Sequence, residues 1–184
     1  MNKIALQLIK KARIENGSIL DLDYLKIVKL PGEIFHLTNL KHLYVAGNKI
    51  TEIPTGIGCL TKLVTVSFSG NKITEIPPEI KNLVNLKSLS ISGNKLRSLP
   101  KELGQLSELE SLEVHNNKII ELPPEIGKLA NLTYLDVSRN KLKSLPTEMG
   151  KLSSLKYLNL YDNNIAELPQ LVKLLSKLEY LGWE

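Results

Sequence analysis

The feature that most constrains this chain is a 23-residue spacing kept by two residue types at once. Prolines stand at Pro31, Pro54, Pro77, Pro100, Pro123, Pro146 and Pro169, and asparagines at Asn48, Asn71, Asn94, Asn117, Asn140 and Asn163. No unit of that length can bury its own apolar ridge, whereas stacked neighbours share one continuous core. The period therefore predicts a solenoid of repeated units.

Aligned on Leu37, Leu60, Leu83, Leu106, Leu129 and Leu152, the units read L-x-x-L-x-x-L-x-Φ-x-x-N-x-Φ-x-x-Φ-P-x-x-Φ-x-x, where Φ is apolar. Positions seven and nine (Leu43/Val45, Val66/Phe68, Leu89/Ile91 and their successors) alternate with period two, the mark of a half-buried strand. The Asn sits where the chain turns. Its side chain both accepts from and donates to backbone groups that no regular ladder satisfies, so stacked copies predict a buried polar ladder. The Φ-Pro step imposes an extended or turn conformation. Segments such as Pro78-Glu79-Ile80 then fit a short helical or 3₁₀ turn on the convex side.

Repeats of the form L-x-x-L-x-x-L-x-V-x-x-N-K-I-x-E-I-P-x-x-I-G-x-L resemble the leucine-rich repeats of the Ras-interacting intracellular group, of bacterial repeat proteins and of Roco-type GTPases. The resemblance covers about residues 14–184. The opening Ala5-Leu6-Gln7-Leu8-Ile9-Lys10-Lys11-Ala12 resembles the capping helix of the bacterial and Roco members. It implies an α/β leucine-rich-repeat solenoid, a right-handed horseshoe whose parallel concave sheet has about eight strands. The expected division is a capping helix over 1–13, a capping repeat over 14–36, full repeats over 37–59, 60–82, 83–105, 106–128, 129–151 and 152–174, and a partial repeat over 175–184. Leu25 replaces the Asn of the first unit, as suits an atypical cap. Trp183 falls at an inward position and is expected to plug the end of the core. Either such a compact tail suffices there, or the chain is a fragment of something longer, and the first is favoured.

The resemblance implies a non-catalytic scaffold for a protein partner, with a small GTPase or another signalling enzyme among the candidates. Two alternatives stand beside it: a regulatory segment of a larger Roco-type enzyme, or a weak anionic-surface or nucleic-acid binder. The net charge of +5 permits acidic partners without selecting one. Cys59 is the only cysteine, so no internal disulfide can form, which points to a cytoplasmic setting. No apolar run approaches the length of a membrane span. A monomer is expected.

Residues flanking the inward positions of each strand face the concave wall, at positions six, eight and ten with eleven at the rim. All six tyrosines fall there. Ser67, Ser69, Gly70, Ser88, Ser90, Ser92 and Gly93 make the second and third full repeats bland. From the fourth repeat on the wall carries Glu113, His115, Tyr134, Asp136, Arg139, Tyr157, Tyr161 and Tyr180, the expected main contact patch. His42 and Tyr44 form a smaller one. Exposed amphipathic rings on a rigid wall are common binding hot spots. Tyrosine is also a good strand residue that stacks across neighbouring strands, so Tyr134, Tyr157 and Tyr180 can serve the sheet alone.

A lysine column (Lys26, Lys49, Lys72, Lys95, Lys118 and Lys141) runs along position thirteen. It reads either as a rail for anions or as soluble filler paired loosely with Glu52, Glu75 and Glu121. A search for catalysis finds no phosphate loop, no metal-ligand spacing and no paired carboxylates, so no catalytic, cofactor or metal residue is assigned. His115 near Glu113 and Asp136 reads as a hydrogen-bonding group of the binding face. The sequons Asn16-Gly17-Ser18 and Asn131-Leu132-Thr133 read as chance in a cytoplasmic chain.

Overall fold

The computed structural model describes residues 2–167 and 170–183. Met1, Leu168, Glu184 and Pro169, the last of the periodic prolines, lie outside the described residues.

Helix α1 (Lys3–Ile14) opens the chain. The Asn2 side chain caps it by accepting from the Ala5 amide at 3.0 Å. Ala5, Ile9 and Ala12 share one face of α1, and that face is buried against the first strand. Eight three-residue strands follow: β1 (Ile19–Asp21), β2 (His42–Tyr44), β3 (Thr65–Ser67), β4 (Ser88–Ser90), β5 (Ser111–Glu113), β6 (Tyr134–Asp136), β7 (Tyr157–Asn159) and β8 (Tyr180–Gly182). They form one parallel sheet in chain order. Leu20 registers with Leu43, Leu43 with Val66 and Val66 with Leu89, so the sequence period is the register of the sheet.

Returns between strands run through 3₁₀ turns, among them Thr55–Cys59, Pro78–Asn82, Lys101–Gln105, Pro124–Lys128 and Thr147–Lys151. The proline before each is extended, as at Pro54 with φ −65° and ψ 148°. The turns stack on one another as the strands do, giving a solenoid with the sheet as its concave wall. Its core is the inward Leu, Ile and Val of every unit, with Phe68 the largest fully buried side chain.

The asparagine ladder forms. Asn71 Nδ2 donates to the carbonyls of Val45 and Phe68, each at 2.9 Å, while Oδ1 accepts from the Ile50 amide at 3.0 Å. The same pattern recurs at Asn48, Asn94, Asn117, Asn140 and Asn163. In the first unit, where Leu25 replaces the Asn, the Asn2 side chain donates to the Leu25 carbonyl and so ties the start of α1 to that turn.

One regularity went unread in the sequence. Position eleven is left-handed in every unit, at Tyr24, Gly47, Gly70, Gly93, Asn116, Arg139 and Asp162, with φ from 53° to 66°. This reversal stops each strand and swings the Asn inward. Glycine meets it without strain, whereas an ordinary side chain pays about 1–2 kcal/mol.

Candidate binding face

The parallel register brings three tyrosines into one column. The rings of Tyr134 and Tyr157 stack with centroids 4.3 Å apart and planes 7° apart, and Tyr157 and Tyr180 repeat that geometry. Inner ring faces are thus spent on one another. Only edges, hydroxyls and the outer faces of the column are offered to a partner, and Tyr180 is 47% exposed. The stacking reading therefore holds for this column, whatever else it does. Tyr161 stands outside the stack at 53% exposure.

Burial foremost, then the Tyr157 hydroxyl and the carboxylates of Asp136 and Glu113, push the Tyr134 phenol well above its ordinary value of 10.0. Tyr157 is raised too, mainly by burial. A folded-state value above the unfolded one means the contribution to stability is complete below pH 10 and lost as pH rises beyond it. Two of the six tyrosines are therefore expected to ionise late in a phenolate absorbance titration, with thermal stability falling above pH 10. Six phenols titrating together at the ordinary value would contradict the stack as described.

Asp136 corrects an expectation. It is 8% exposed and does not present itself on the wall. Its Oδ1 accepts from the amide and hydroxyl of Ser138 at 2.9 and 2.7 Å, and its Oδ2 accepts from Asn159 Nδ2 at 3.3 Å. His115 Nδ1 lies 3.7 Å from Asp136 Oδ2 and 2.9 Å from Ser92 Oγ. Ser92, expected on the open wall, and Ser138 are buried for the same reason. Neighbouring polar groups, within one unit or one strand apart, satisfy each other. Asp136 is thus an anchor that orients Asn159 and lies near His115, which Ser92 holds, and Asn159 Oδ1 in turn accepts from the Tyr161 amide at 3.2 Å.

Around this network lies a concavity of about 480 Å³ bounded by His115, Arg139, Asn159, Tyr161, Tyr180 and Trp183. Trp183, expected inward, is half-buried against the core and also forms part of this wall. Its second role was not legible from its inward phase. Arg139 is exposed on left-handed backbone that three other units give to glycine. Folding does not ask for arginine there. Glu113 is half-exposed on β5. His42 and Tyr44 are half-buried on β2, five strands from Tyr157 on β7, so the structure keeps the smaller patch apart from the main one.

The lysine column is exposed throughout. Its expected glutamate pairing is not made among the described residues. Glu52 pairs instead with Lys29 at 3.4 Å. Among those residues no cluster of His, Cys, Asp and Glu could hold a metal ion, and no helix is long and apolar enough to cross a membrane.

The stacked strands and turns define a repeat solenoid, a fold that commonly serves as a protein-interaction scaffold. The family described as "Leucine-rich repeat region" matches residues 76–142 and 124–184, and "Leucine Rich repeats (2 copies)" matches residues 38–78. The chain belongs to the leucine-rich-repeat family, whose members generally serve as non-catalytic binding modules. No curated protein matches its sequence. Among solved structures it is similar to a leucine-rich-repeat protein of Leptospira interrogans, with 40% identity and a TM-score of 0.87 over 94% of this chain and 45% of that one. It is also similar to an internalin of Listeria monocytogenes, with 29% identity and a TM-score of 0.81 over 93% of this chain and 48% of that one. A third likeness, at 32% identity and a TM-score of 0.80, is to the ectodomain of the Arabidopsis thaliana receptor kinase GASSHO1/SCHENGEN3, solved in complex with Casparian strip integrity factor 2. It covers 88% of this chain and 20% of that one. The chain thus spans less than half the length of each.

Proposed function

We propose that the concave face docks a protein partner, chiefly through β5 to β8. Tyr161, Tyr157, Tyr180, Tyr134, Glu113, His115 and Arg139 form the main contact, oriented by Asp136, and His42 with Tyr44 a second. The observation that carries this reading is the side-chain choice on the wall. Large amphipathic rings stand where other units use serine, and Arg139 takes a backbone conformation that favours glycine. The likeness to the Ras-interacting group and the single exposed cysteine, Cys59, support a cytoplasmic signalling setting with a small GTPase or signalling enzyme as partner.

Tyr161 separates binding from folding, because it lies outside the stack. Tyr161→Ala is expected to weaken partner capture about tenfold or more while stability stays within about 0.5 kcal/mol of wild type. Tyr157→Ala weakens capture too, and also costs the sheet about 0.5–1.5 kcal/mol from the lost stacking. The measurement is a pull-down with wild type, each single variant and the Tyr134/Tyr157/Tyr161 triple alanine variant, alongside thermal unfolding. Equal capture by wild type and the triple variant would remove the concave patch from consideration.

A further inference from the structure

The charge of the molecule and the charge of its wall have opposite signs. The chain as a whole carries +5. Yet the described residues at positions six, eight, ten and eleven include four carboxylates that reach the surface (Asp21, Asp23, Glu113 and Asp162) besides the buried Asp136, one arginine, Arg139, and no lysine. At the strand entrances Lys87 and Lys156 are neutralised by ion pairs with Glu110 and Glu179, at 2.7 and 2.9 Å, and Lys41 is left exposed. The lysine column lies beyond the left-handed turn on the outer rim, and it ends before the unit of Asp162, where Asn164 takes the position. Asp23 is pushed up, first by burial and then, against the Ala46 amide, by Asp21 beside it.

Apart from Asp162, which stands at the left-handed position one unit after Arg139, the carboxylates that reach the wall stand at two places. Asp21 and Asp23 lie at β1, with Tyr44 in register beside Asp21 on β2. Glu113 lies half-exposed on β5, one strand from Tyr134 of the tyrosine column, and Asp136 in register with it on β6 is buried in its own hydrogen bonds. Between them run the serine-lined strands β3 and β4, which carry no charge. Each place sets an accessible carboxylate, Asp21 or Glu113, near aromatic rings, and that pairing favours a cation over an anion. Four strand steps of about 4.8 Å separate β1 from β5, a span of about 19 Å that an extended segment covers in about six residues.

Resting on the concave face as the docking surface, we infer that the partner presents an extended basic protein segment with two cationic clusters about six residues apart, laid across the strands. The serine floor accommodates the spacer. Arg139, the one opposing charge, sits at the exit rim and sets the register by repelling a misplaced cation.

Labelled synthetic peptides test this by fluorescence anisotropy. They carry two Arg-Lys pairs separated by neutral spacers of increasing length, with Glu-for-Lys/Arg counterparts and a heparin arm for the lysine column. The expected result is binding of the basic series with an optimum near the predicted spacing, weakened by salt. Glu113→Gln and Asp21→Asn are each expected to weaken it about two- to fivefold, both being surface changes that leave hydrogen-bonding shape intact. Any one of three results overturns the inference: no basic peptide binds, acidic peptides or heparin bind as well or better through the wall, or the double variant retains wild-type affinity. A partner captured through Tyr161 without regard to Glu113 and Asp21 would leave the docking face standing and remove only the cationic partner.

Discussion

Asn94→Ala is expected to destabilise the protein by about 3–5 kcal/mol, measured by urea unfolding. Asn94 Nδ2 donates to the carbonyls of Phe68, Ile91 and Ser92 at 3.0, 3.1 and 3.1 Å, and its Oδ1 accepts from the Ile73 amide at 2.9 Å. All of these groups are inside the stack, away from the ends. Alanine leaves a buried donor and several acceptors without partners, each at a cost of about 1–3 kcal/mol before relaxation. A solenoid is held together by nearest-neighbour interfaces, so a break at this depth also weakens coupling between its two halves. The unfolding transition is therefore expected to broaden or divide as well as shift. Asn163→Ala, at a less buried rung, should cost distinctly less. If Asn94→Ala loses under 1 kcal/mol, on the order of one ordinary hydrogen bond, the ladder is not the source of stability described here.

The second large effect concerns the convex side. A Cβ on Gly127 would fall directly on the backbone carbonyl oxygen of Glu148 in the next turn. A backbone atom cannot step aside as a flexible side chain would, so Gly127→Ala must force the turns Pro124–Lys128 and Thr147–Lys151 apart. The expected loss is about 1–3 kcal/mol. Lys81 occupies the equivalent place two units earlier, so such opening is possible, which sets the cost at strain rather than collapse. Gly32→Ala is the control. Nothing lies within 4 Å of the Cβ it would carry, and that variant should be neutral or slightly stabilising. Equal stability of the two alanine variants in thermal unfolding would refute the close-approach explanation.

Much of this was legible beforehand because it is periodic. Buried apolar positions repeat with the strand, and the asparagine answers the same unsatisfied backbone groups in every unit. Each signal is therefore read six times over and depends on no distant contact. The candidate wall was legible to the same extent: the phase of each strand says which side chains leave the core, and Tyr161, Glu113, His115 and Arg139 do so.

What phase cannot say is whether an outward side chain remains available. Asp136, Ser92 and Ser138 point away from the core yet are buried: Ser138 and Asp136 bond each other within one unit, and His115 and Asn159 of neighbouring units bond Ser92 and Asp136. Tyr134 and Tyr157 likewise spend their ring faces on each other. The left-handed residue at position eleven was invisible for a related reason: its conformation is imposed by turning the Asn inward, and several residue types tolerate it.

By itself, then, the sequence determined the repeat, the register, the core and the side of the sheet that faces outward, since all four follow from spacing along the chain. Only the tertiary structure decided which outward groups stay free, because stacking one unit beside the next settles hydrogen bonds, ring contacts and backbone strain between residues 23 positions apart.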